Sequence, residues 1–228
     1  MASSAHSGRQ VKIRVSDDAG SVSGLLVRPA GARALLVLAH GAGSGMEHPF
    51  LRAVADGLAQ RGVATLRYRF PYRESGRSWP PDRPPLLRAT VRAAVAEARA
   101  RAPELPLWAG GRSLGGRMTS QAQAEEALGG VRGLVLLGFP LHPKGRPASD
   151  RADHLTEVTV PMLFVQGDRD AMADLELLRP VVDELGDRAA LHVVEGADHG
   201  FGVRKKDGRS AEELLDEVVE TVAGWTSV

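Results

Sequence analysis

Short apolar runs rich in leucine and β-branched residues alternate along this chain with stretches of helical spacing, and that alternation constrains the fold most. ALLVLA (34–39) is apolar throughout, the pattern of a strand buried on both faces. Phe50, Leu51, Val54 and Leu58 then follow helical spacing, with Gly62 as a stop signal. VATLRYRF (63–70), PLWAGG (106–111), GLVLLGF (133–139), PMLFVQG (161–167) and ALHVVEG (190–196) read as further strands. Between them, Leu87, Val91 and Val95 mark one helix, the residues after Ser113 a second, and Leu177, Leu178, Val181, Val182 and Leu185 a third. VKIRV (11–15) and VSGLLVR (22–28) flank DDAG, which predicts a hairpin. Ser210 and Glu213 form a capping box ahead of Leu214, Leu215, Val218, Val219, Val222 and Trp225. The last turns, as far as Val228, would cover the sheet or meet a second copy. Buried strands alternating with amphipathic helices predict an α/β domain with a largely parallel sheet. The chain of 228 residues suits one core, and a single domain over 11–228 is expected behind a disordered tail, 1–10.

Composition excludes several classes. There are no cysteines, so disulfides, thiol catalysis and cysteine-held metals are out. A formal net charge of +1, with arginines interleaved among acids, gives no electrostatic reason for nucleic acid or an anionic membrane as partner. No apolar run approaches the roughly 20 residues of a membrane span, and MASSAHSGRQ lacks the apolar stretch of a secretory signal. A soluble, cytoplasmic protein is therefore expected, as a monomer or homodimer.

In parallel α/β sheets, sites gather at the carboxyl ends of the strands. The residues just past the strand ends here are HGAGSG (40–45), GRSLG (111–115), GDRD (167–170) and GADHG (196–200). GRSLG has the G-x-S-x-G form of a nucleophile elbow, and it falls between a strand and a helix, the context that gives the motif meaning. Glycines at 111 and 115 let such a turn close without a Cβ clash. A serine hydroxyl needs an adjacent base, and His199 follows the last strand. His192 falls inside a strand and His6 in the tail, so neither is a candidate. The base needs a carboxylate to hold its tautomer, and GDRD offers both Asp168 and Asp170. Asp174 reads as a helix-start residue. A calcium loop starting at Asp168 is rejected, because its sixth position should be glycine and is Ala173.

Attack on a carbonyl builds an oxyanion, which calls for preorganised N–H donors. The backbone N–H groups of Leu114, after the serine, and of Ala42, in the loop before the first helix, are the candidates. His40 reads as a residue that shapes this loop. The same glycine-rich loop fails as a dinucleotide fingerprint, because Met46 stands where the third glycine belongs, and it lacks the lysine of a phosphate-binding loop. No metal or organic cofactor is called for.

Taken together, LAHGAGSGMEHPF, LRYRFPYRESGR, GGRSLGGRM, FPLHPKGRP, RADHL, FVQGDRD and GADHGF resemble the α/β-hydrolase superfamily. More narrowly, they resemble a small, lidless, dienelactone-hydrolase-like branch that includes a subunit of a histone acetyltransferase complex. The resemblance implies a three-layer fold with an eight-stranded, mostly parallel sheet whose first strands are antiparallel. It implies Ser113 as nucleophile, His199 as base and, since the acid stands three residues after the glycine, Asp170 as the orienting carboxylate. The segment between Phe139 and Pro161 is too short for a lid domain, although it has room for a small helix around His154 and Leu155. Little apolar cover favours a small substrate with a short or polar acyl group. RYRFPYRESGRSW reads first as a solvated loop; in a functional reading, one of its arginines or Arg117 binds an anionic substrate group. The expected activity is that of a serine hydrolase, a carboxylic ester hydrolase first. The alternatives are a thioesterase or peptidase using the same residues, or an idle hydrolase-fold interaction module.

Overall fold

The computed structural model describes residues 8–204 and 208–227, and their apolar runs form one eight-stranded sheet. The strands are β1 (Arg9–Ser16), β2 (Gly20–Val27), β3 (Ala34–Ala39), β4 (Val63–Tyr68), β5 (Leu107–Arg112), β6 (Val131–Leu137), β7 (Met162–Gly167) and β8 (Ala189–Val194). Their order across the sheet is β1-β2-β4-β3-β5-β6-β7-β8. β1 runs antiparallel to β2 and β2 antiparallel to β4, while every later pairing is parallel. Among the described residues six α-helices flank the sheet: α1 (Pro49–Gln60), α2 (Pro71–Glu74), α3 (Pro84–Arg101), α4 (Leu114–Glu125), α5 (Leu175–Leu185) and, after the last strand, α6 (Ala211–Trp225).

The two-residue period of the strands divides the core. Leu35, Val37 and Ala39 of β3 face one cluster, with Leu87 and Val91 of α3, Met118 of α4 and Leu178 of α5. Leu36 and Leu38 face the other, with Leu51, Val54 and Leu58 of α1 and Val218, Val219 and Val222 of α6. This is the three-layer α/β-hydrolase fold. The last helix thus covers the sheet; Val228 lies outside the described residues. Between β6 and β7 the chain forms only a 3-10 helix, Asp150–Glu157, whose Ala152 and Leu155 are buried in the first cluster. That segment packs against α4 and α5 and is no lid.

Element edges depart from the apolar pattern in instructive places. Residues 1–7, including His6, lie outside the described part, but Arg9 and Gln10 pair with Leu26 and Leu25, so β1 takes in the end of the expected tail. Ladder hydrogen bonds carry the strand past its apolar residues. The run 63–70 loses its last two residues because Pro71 opens α2, a helix inside the stretch read as a loop. β6 begins two residues early, at Val131, and stops before Gly138, whose φ is +62°.

Candidate active site

The elbow at the end of β5 is built by close backbone approach. Ser113 has φ +50° and ψ −117°, a left-handed conformation that costs a non-glycine residue about 1–3 kcal/mol. Its N–H donates to the Leu137 carbonyl of β6 (2.9 Å), and its carbonyl accepts from the Arg117 N–H one turn into α4 (3.0 Å). Glycine is required on both sides. A Cβ on Gly111 would stand 2.6 Å from the Ala39 oxygen, and one on Gly115 2.7 Å from the Ala39 and His40 carbonyl oxygens.

Loops from β7 and β8 bring an acid and a base to this serine. Asp170 is fully buried at its side chain. Its Oδ1 accepts from the Met172 N–H (2.7 Å), and its Oδ2 accepts from Gln166 Nε2 (2.6 Å) and from His199 Nδ1 (2.7 Å). With Nδ1 donating, His199 Nε2 is left to accept from Ser113 Oγ at 2.9 Å. Ser113, His199 and Asp170 therefore form a continuous hydrogen-bonded line. Asp168, the other acid in GDRD, is exposed and accepts from the Gly196 N–H (2.8 Å), joining the β7 and β8 loops. Asp174 caps α5 by accepting from Glu176 N–H.

The His199 loop is fixed on both sides. Asp198 Oδ1 accepts from the N–H groups of Gly200 and Gly202 (both 2.8 Å). Phe201, at φ +61°, stacks on Phe50 of α1 with ring centroids 4.7 Å apart. Arg112 reaches across from β5 with Nη2 3.5 Å from the His199 carbonyl, in the field of Asp198 and Asp170.

The glycine-rich loop after β3 borders the same serine: a Cβ on Gly41 would stand 3.6 Å from Ser113 Cβ. The Ala42 and Leu114 N–H groups have no protein acceptor among the described residues. Buried His40 sets the loop's shape. Its Nδ1 donates to the Gly41 carbonyl (2.8 Å) and its Nε2 accepts from the Phe70 N–H (3.1 Å), tying the β3 loop to the β4 loop. Burial lowers its pKa to about 4, so this tautomer is the neutral one. Tyr72 of α2 stands edge-on to His40, and burial pushes its phenol up to about 12, opposed by the Arg73 charge and by a backbone contact to Gly43. His192, in β8, meets Glu217 of α6 at 2.7 Å, away from the line.

Two residues at the site have no reading in the sequence. Gln166 left one usable signal, a lone amide closing the apolar run MLFVQG. Tyr72 is hidden in an aromatic, arginine-rich stretch. Among the described residues, no three metal-ligating side chains stand together.

A family model described as an alpha/beta hydrolase domain matches residues 32–227. Among solved structures, the chain is similar to a dienelactone hydrolase from Anabaena variabilis, at 24% identity and a TM-score of 0.73 over 96% of this chain and 97% of that one. It is also similar to an α/β serine hydrolase without lid from Xanthomonas campestris, at 19% identity and a TM-score of 0.72 over 96% and 94%. The esterase domain of a Rhodothermus marinus protein gives 17% identity and a TM-score of 0.70 over 96% and 97%. Likenesses at these identities speak for the shared fold. With the family model spanning β3 to α6 and the whole Ser113–His199–Asp170 line, this chain belongs to the alpha/beta hydrolase domain family.

Proposed function

We propose that the protein is a serine hydrolase that cleaves an ester, or a related acyl bond, of a small substrate through an acyl-enzyme. The observation that carries this reading is the line Asp170–His199–Ser113, with bonds of 2.7 and 2.9 Å, ending on a serine in a strained elbow. Ser113 Oγ attacks the carbonyl carbon while His199 Nε2 takes the hydroxyl proton. The oxyanion formed is met by the N–H groups of Leu114 and Ala42, where loss of one such donor costs about 3–4 kcal/mol in the transition state. Collapse expels the alcohol, which leaves with the proton held on Nε2. Water then attacks the acyl-enzyme, giving its proton to Nε2, and the acid departs as Ser113 regains its hydrogen. Asp170 holds the imidazole in the tautomer that leaves Nε2 free and stabilises the imidazolium.

The absence of a lid over the strand ends supports short or polar acyl groups, since little apolar surface would cover a long chain. The absence of cysteine supports the cytoplasm as the place of action. Hydrolysis of p-nitrophenyl acetate and butyrate, with matching thioester and anilide substrates, tests the reading. Ester turnover is expected to dominate, and Ser113→Ala is expected to lower kcat by about 10⁶. A Ser113→Ala variant that keeps most of its activity overturns it.

A further inference from the structure

An amide stands where the fold asks for an aliphatic side chain. β7 lies between β6 and β8, and its Met162 and Phe164 belong to the first core cluster. By the two-residue period of the strand, Gln166 continues that same face, and it is fully buried. Its Nε2 donates to Asp170 Oδ2 at 2.6 Å, while its Oε1 is buried with no donor among the described residues. A buried acceptor left unmet costs stability, and leucine or methionine would fill this position without that cost. What the amide has in return is its bond to the carboxylate.

The surroundings of Asp170 show what that bond does. Oδ1 accepts from the Met172 N–H at 2.7 Å. Oδ2 accepts twice, from Gln166 Nε2 and, at 2.7 Å, from His199 Nδ1. A carboxylate oxygen has two lone-pair directions, so an N–H seated in one leaves the other aimed at the imidazole. Arg112 lies in the field of this carboxylate, but its Nη2 turns to the His199 carbonyl. On the β6 side, a Cβ on Gly138 would stand 3.7 Å from Oδ2, so backbone closes round the oxygen there. Turned over, the amide would set Oε1 against Oδ2, acceptor against acceptor, so the charge itself fixes which end of the amide faces it. We propose that Gln166 is a positioning residue for the reaction, filling one acceptor direction of Asp170 Oδ2 and so holding the other on His199 Nδ1. The role rests on the ester-hydrolase reading.

Gln166→Met keeps the length of the side chain and deletes the donor. With p-nitrophenyl butyrate, kcat is expected to fall by about tenfold to a hundredfold, the loss of one hydrogen bond to a charged group, while KM stays within about twofold. In an Asp170→Ala background there is no carboxylate to aim, and the same substitution is expected to change kcat by less than about twofold. Gln166→Leu repeats the deletion with a second shape, so that a folding defect in one variant is not read as loss of the bond. Proton NMR reads the imidazole without turnover. The His199 Nδ1 proton should give a far-downfield resonance in wild type, displaced or broadened in Gln166→Met and missing in Asp170→Ala. Wild-type kcat in either folded variant, an unmoved resonance, or an equal loss in the Asp170→Ala background overturns the proposal. A moved resonance in a protein whose Ser113 neither turns over esters nor takes a fluorophosphonate removes the hydrolase reading and leaves Gln166 aiming the carboxylate. Ester turnover with kcat and resonance unmoved in the variant does the reverse.

Discussion

Two aspartates two residues apart in one loop take different work. Asp170 is buried and bonded to His199, whereas Asp168 faces solvent and fastens Gly196. Asp170→Asn keeps the shape but removes the charge and one way of fixing the imidazole tautomer, so kcat is expected to fall by about 10⁴. Asp168→Asn keeps an oxygen for the Gly196 N–H and is expected to stay close to wild type. Steady-state kinetics of the two variants check this, and equal losses would contradict the assignment. The residues alone left these acids open, because both stand in GDRD at a strand end; only the fold decides which carboxylate turns inward. Ser113 and His199 involve no such choice in the sequence, and the fold brings them to 2.9 Å of each other. Each stands in a glycine-bearing segment that follows an apolar run, GRSLG and GADHG, and glycines at 111 and 115 suit a tight turn. Gln166 is not legible, since nothing local distinguishes an amide bonded to Asp170 from a solvated one.

Among the elements, those set by local chemistry could be read most closely. Ser210 accepts from the Glu213 N–H at 3.1 Å, and the Glu213 carboxylate accepts from the Ser210 N–H at 2.7 Å, the capping box written in the sequence. Ser210→Ala is expected to cost about 1 kcal/mol and roughly 2–4 °C in Tm, with ester turnover unchanged. A thermal melt beside a rate measurement checks both halves. β3 was legible to the residue because its apolar run and its ladder end together. α2 was not, because its four residues lack the length to show a helical period. α3 opens at Pro84, inside a proline-rich stretch that reads as loop, since proline suits the first helical turn.

At the scale of the molecule, the sheet's carboxyl edge collects polar groups from five strands, and some of that polarity is buried enough to link stability to pH. Burial holds His40 and His154 at about 4, well below the ordinary 6.5. Between those values the unfolded chain binds more protons than the folded one. Their contribution is therefore complete above about pH 6.5 and is lost as pH falls toward 4, by up to about 1.4 kcal/mol per pH unit for each. His154, less deeply buried, contributes the smaller part. Urea unfolding at pH 7 and pH 5 should show the loss, and His154→Gln should reduce it. A stability that is flat across this range would contradict the buried neutral histidines.

The central claim is that Ser113 is an activated nucleophile, and intact mass after incubation with a fluorophosphonate tests it most directly. A single adduct is expected on the wild-type chain and none on Ser113→Ala. An unmodified wild type, or an adduct that persists in Ser113→Ala, would contradict it.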